Sequence, residues 1–116
     1  MYLSPEAQRL LDDVRRAHET LLAHFGAGDA HRRAFRAVYA VLESALGDVT
    51  VGELREPVDG GWSRGQVLVH LAERDEKIEE ARERGIEHMI EHGLEHGRDL
   101  WLARAPAAGE KSPRRG

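Results

Sequence analysis

The sequence predicts an all-α fold, a small up-down bundle of three to four helices ending in a long C-terminal helix and assembling as a dimer. Three observations predict it. Apolar residues recur at helical spacing in separate stretches along the chain. Capping residues precede those stretches and glycines follow the first two. No stretch alternates apolar and polar residues for long enough to defend a strand.

Composition bounds the class further. A chain of 116 residues with 41% hydrophobic and 33% charged residues suits one globular domain, read here as residues 1–105 followed by a flexible basic tail at 106–116. The apolar runs are far shorter than the ~20 residues of a membrane span, so no membrane partner is expected. The first residues lead straight into a helix signal and not into a leader pattern, and there is no cysteine, which together fit the cytoplasm. The lack of cysteine also removes disulfides, thiolate metal sites and thiol nucleophiles. Acids and bases interleave along the helices, with a net charge of −4 and no basic stripe, so nucleic acid is not an expected partner. Seven histidines in this length justify a search for metal or proton chemistry.

The first helix starts at Ser4-Pro5-Glu6, a capping serine, a proline at the first helical position and an acid in the first turn. Ala7, Leu10, Leu11, Val14, Leu21 and Phe25 form its apolar face, His18 shares that face, and Gly26-Ala27-Gly28 stops it. Asp29 is read as the cap of a second helix with an apolar face through Phe35, Val38, Leu42 and Leu46. His31 lies near its first turn, and Gly47-Asp48 ends it. So short a connection makes the pair an antiparallel hairpin. Residues 47–63 are irregular, with one helical turn capped by Thr50 and Glu53, then Pro57 and an Asp59-Gly60-Gly61 turn. Trp62 follows as a lid over the bundle end.

Ser63 caps the next helix. An apolar face through Val67, Leu71, Ile78, Met89 and Leu100 stays in register across Gly85, which favours one helix of roughly forty residues or two nearly collinear pieces. A reversal at Gly85 is the alternative, since glycine within a helix costs about 1 kcal/mol relative to alanine. Gly93 and Gly97 form a small surface for close approach of another helix. Pro106 is expected to end the ordered region.

Gly61-Trp62-Ser63-Arg64-Gly65-Gln66-Val67-Leu68-Val69-His70-Leu71-Ala72 resembles the signature of the DinB/YfiT-like helical-bundle superfamily, and looks closest to the N-terminal domain of mycothiol-dependent maleylpyruvate isomerases. His92-Gly93-Leu94-Glu95-His96 resembles the His-x-x-x-His of that family's last helix. The resemblance covers roughly residues 34 to 100, as a shortened or rearranged member. It implies a divalent metal, zinc or nickel, held by His70, His92 and His96, with Trp62 as the pocket lid.

Helix arithmetic sets conditions on that site. His92 and His96, one turn apart, project from one face and can share an ion, and His88 is one turn earlier. On a continuous helix His70 lies roughly 33 Å from His92. A reversal at Gly85 leaves axial mismatches of about 12 Å to His92 and 6 Å to His96. Two antiparallel copies would bring His70 of one level with His92 and His96 of the other, hence the expected homodimer. Beside this stands the plainer reading, that a histidine on an apolar face is ordinarily a satisfied core residue. His18 and His31 also face inward as substitute ligands, and Glu73 and Glu95, each a turn from a histidine, are candidate ligands or acceptors.

Two functions follow. One is a metal-dependent thiol transferase, isomerase or hydrolase acting on a small molecule, as the resemblance implies. The other is a non-catalytic helical homodimer serving as a partner-binding or structural module. No nucleophile elbow, P-loop or dinucleotide fingerprint is present.

Overall fold

In the computed structural model, which describes residues 2–26 and 28–109 and side chains through residue 103, all regular structure is helical. The described residues form six helices: α1 (Pro5–Phe25), α2 (Asp29–Leu46), α3 (Val51–Arg55), α4 (Arg64–Asp75), α5 (Ile78–Arg84) and α6 (Ile86–Gly109). That exceeds the three to four expected. The difference is two short helices, α3 and α5, that tie together the four walls α1, α2, α4 and α6.

The starts follow local chemistry. Ser4 accepts from the amide of Ala7, and Gly26 closes α1 in the left-handed region at φ 57°. Thr50 with Glu53, and Ser63 with Gln66, form reciprocal capping boxes at α3 and α4. Asp29 is not the cap of α2. Gly28 occupies that position and Asp29 is the first helical residue, where its charge still favours the helix N-terminus.

Residue pairings give the topology. Leu10 faces Gly65 and His18 faces Asp75, so α1 and α4 run parallel. His31 meets Glu87, Val38 meets Gly93 and Val41 meets Gly97, so α2 and α6 run parallel too. The α1–α2 and α4–α6 seams are antiparallel and lie on opposite sides of the bundle. The irregular stretch 47–63 is the crossover that makes this arrangement possible. It is pinned to the N-terminus by the Tyr2 and Asp48 backbones, and it folds on itself between Pro57 and Ser63 through a turn at Asp59-Gly60-Gly61.

The expected long helix from residue 63 is divided in three. α4 ends after Asp75, α5 forms a seven-residue crosspiece, and Gly85 turns the chain at φ 94° and ψ 151°, a conformation open to glycine. Burial accounts for the first break, which no glycine or proline announces. Asp75 is drawn fully into the interior against His18, while Ile78 and Ala81 join Leu21, Phe35 and Met89 in a satellite core. The main core runs through Leu11, Val14, Leu42, Leu46, Leu68 and Leu71. The apolar register persisted across the breaks because each short piece still turns its own face inward. α6 continues to Gly109, so Pro106 falls within its last turn and not beyond its end. The rest of the expected basic tail, 110–116, lies outside the described residues.

Gly93 and Gly97 meet α2 of the same chain. A Cβ on Gly93 would stand 2.7 Å from Val38 Cγ1, and one on Gly97 2.8 Å from Val41 Cγ1. The helix that approaches this small-residue surface is therefore α2 of the same chain. Among the described residues no helix is long and apolar enough to cross a membrane.

Candidate metal centre

The two breaks solve the distance problem that a single hinge could not. His70 lies five residues before the end of α4 and His92 six after the start of α6. At 1.5 Å per residue these offsets are about 7.5 and 9 Å, level to within roughly 2 Å. Helical side chains lean toward their own N-terminus. Across an antiparallel seam, His70 therefore tips away from the α5 end while His92 and His96 tip toward it. The three imidazoles converge within one chain, so completion by a second copy is not required.

Their geometry suits one ion. His70 Nε2 lies 3.3 Å from His92 Nε2, and His92 Nε2 lies 3.2 Å from His96 Nε2. Ligand atoms of all three fall within 4.8 Å of one another. Bonds of 2.0–2.1 Å to zinc give a tetrahedral nitrogen–nitrogen edge of about 3.3 Å. Ring centroids are 4.6 to 5.1 Å apart with planes crossed at 73° to 87°, so the rings are not stacked. His92 Nε2 faces both neighbours, so its single proton or lone pair would have to be divided between two hydrogen bonds. A shared cation accepts a lone pair from each.

Protonation favours the same state. Burial pushes the His70 imidazole below its ordinary 6.5, and His96 and Arg74 push it further, against smaller opposing effects of Glu73 and Asp75. Burial, then His96 and His70, also lower His92. Neutral imidazole is the metal-binding form.

The other expected participants divide. His88 is half-buried and stacks on His92 at 6.2 Å between centroids, outside the convergent group. His18 is not a substitute ligand, because its Nε2 is 2.8 Å from Asp75 Oδ2 in the core. His31 is likewise occupied, 3.0 Å from Glu87. Glu73 and Glu95 are exposed and outside the group. Asp99, one turn after His96, approaches His96 Nδ1 to 4.0 Å, too far for a hydrogen bond.

Trp62 is half-exposed, with its ring 4.9 Å from His70. It is a wall of the site more than a closed lid. Beside it, a cavity of about 340 Å³ is lined by Val58, Trp62, Arg64, Val67, His96 and Leu100, among others. Arg64 was passed over in the sequence. It is 9% exposed, it donates to the carbonyls of Glu53 and Ala103, and its Nε has no partner. One signal was available: a cation at the first position of a helix, where the dipole disfavours positive charge. Compared with known proteins, the chain matches no family model, no curated protein and no solved structure.

Proposed function

We propose that this chain is a DinB-like metal-binding protein that uses a divalent ion, zinc or nickel, at His70, His92 and His96 for chemistry on a small molecule. The observation that carries the reading is the convergence of three imidazoles, from α4 and α6, at the spacing of a tetrahedral edge. Three protein ligands leave a further coordination position, the pattern of catalytic sites more than of structural ones. A bound ion supplies Lewis acidity there and lowers the pKa of a coordinated water or low-molecular-weight thiol.

The protein's own residues would do the rest. Trp62, Val67 and Leu100 exclude water from one side of the approach to His96. Arg64 lines the same cavity, and its guanidinium protons beyond those given to Glu53 and Ala103 would attract an anionic group of the substrate. The reaction class is thiol transfer, isomerisation or hydrolysis.

The test is metal analysis of protein purified without a histidine tag, on wild type, His70→Ala and His96→Ala. One zinc or nickel per chain, lost in both variants, is expected. An untagged wild type without metal after incubation with zinc would overturn the reading. A second reading, a helical module that associates with another copy, is favoured by one observation: Leu94 and Trp101, two turns apart on α6, are both exposed. Sizing in solution separates the two, because the metal reading requires no second copy.

A further inference from the structure

The α1–α2 seam, on the side of the bundle opposite the histidine triad, carries a second cavity of about 350 Å³. Its walls are Arg15, His18 and Glu19 from α1 and Arg32, Arg36 and Tyr39 from α2, with Leu22 and Phe35 filling the apolar part. Three guanidinium groups face one carboxylate, on a chain whose net charge is −4. This local reversal of sign comes from both helices.

The cations differ in what they already do. Arg15 pairs with Asp12 at 3.2 Å and lies over the Tyr39 ring at 5.7 Å. The Arg32 and Arg36 side chains, one turn apart on α2, form no ion pair or hydrogen bond with the described residues. Residues one turn apart on a helix are neighbours on its surface, so two free planar forks sit side by side over the groove.

The floor is built as well. His18 is 3% exposed and lies against Phe35 at 4.4 Å between ring centroids. Its Nε2 is held by Asp75 Oδ2 at 2.8 Å, and Asp75 is fully buried on the far side of the ring. That contact fixes the imidazole and leaves Nδ1 as its nitrogen without a protein partner. A buried, oriented imidazole under unpaired guanidinium groups is more than a solvated charged face requires.

We propose that this groove binds a small phosphate-bearing ligand, with Arg32 and Arg36 clamping the phosphate, Arg15 closing the rim and His18 Nδ1, the acceptor nitrogen once Nε2–H is given to Asp75, accepting from the O–H of a monoprotonated phosphate below. Phosphate suits the donors better than a carboxylate does, because it offers acceptor oxygens in several directions at once and guanidinium forks match its geometry. Tyr39 and Phe35 supply an apolar wall for an attached organic group. The site stands apart from the metal reading.

The experiment is titration of zinc-free protein, held in chelator, with inorganic phosphate and with phenyl phosphate at low salt, followed by amide and imidazole nitrogen resonances. Saturable shifts confined to the facing stretches of α1 and α2, with movement of His18 Nδ1, are expected. Arg32→Gln with Arg36→Gln should weaken binding at least about tenfold, the order of two lost charge-assisted hydrogen bonds. Glu19→Gln should strengthen it. All three substitutions are at exposed positions, so folding is not at risk. Tighter binding of phenyl phosphate points to an organic phosphate, and equal binding to the inorganic ion. Non-saturable shifts would overturn the proposal. So would an equal loss in a control carrying Arg9→Gln and Arg33→Gln, exposed arginines outside the groove.

Discussion

At the scale of single residues, burial at the α4–α6 seam favours neutral His70 and His92, and that has a sign for stability. Folding lowers the values of His70 and His92 from 6.5, chiefly through burial. Below 6.5 the unfolded chain binds protons that the folded chain resists, so stability falls as the pH is lowered. The loss begins near 6.5 and is complete below the folded values. Metal-free protein should therefore lose stability between neutral pH and mild acid, and a His70→Gln, His92→Gln variant should lose less. Denaturant titrations across that interval measure the difference, and parallel curves for the two proteins would contradict the account. Bound metal should steepen the dependence, since protons then compete for three ligands. The Trp62-to-His70 stretch was legible because Trp62 directly precedes the Ser63 cap of α4 and His70 lies on that same helix. Arg64 and Asp75 were not. Their roles depend on burial, which a charged residue in a charge-rich stretch does not advertise.

At the scale of elements, the glycines of α6 decide how the walls meet. Gly93 and Gly97 were legible as a surface for a close neighbour, but spacing alone cannot say whether that neighbour is another copy or another helix of the chain. Here it is α2, through Val38 and Val41. Gly93→Ala would gain about 1 kcal/mol in helix propensity. Its new methyl would clash with the β-branched Val38 Cγ1, and overpacking costs about 1–3 kcal/mol. A net loss of stability is expected. Val38→Ala in the same chain should recover part of it, so the pair couples in a double-mutant cycle. A Gly93→Ala protein that unfolds like wild type but changes its size in solution would place these glycines between copies instead. The helix breaks show the same division of information. Gly85 was visible as a place where the chain could turn. The break after Asp75 was not, because the capping and charge pattern there supports a helix and the burial of Asp75, Ile78 and Ala81 overrides it.

At the scale of the molecule, the α4–α5–α6 reversal brings three histidines spread over the sequence close enough to hold one ion, and on the proposed reading this links metal to folding. An ion held by His70 on α4 and by His92 and His96 on α6 would add a direct tie between two walls that the chain links covalently through the crosspiece. The unfolded chain has no such arrangement, so binding energy adds to folding stability, by about 4 kcal/mol at a free metal concentration a thousandfold above the dissociation constant. Zinc should raise the unfolding temperature of wild type by many degrees and leave His96→Ala, which keeps only two of the ligands, much less affected. Because every ligand comes from one chain, the zinc-loaded protein should keep one ion per chain when diluted at fixed free zinc. A site completed by a second copy would empty as the copies separated. Following bound zinc and unfolding temperature over a dilution series therefore separates a site made by the fold from one made by association: concentration-independent occupancy supports the first, and joint loss of zinc and stability on dilution supports the second.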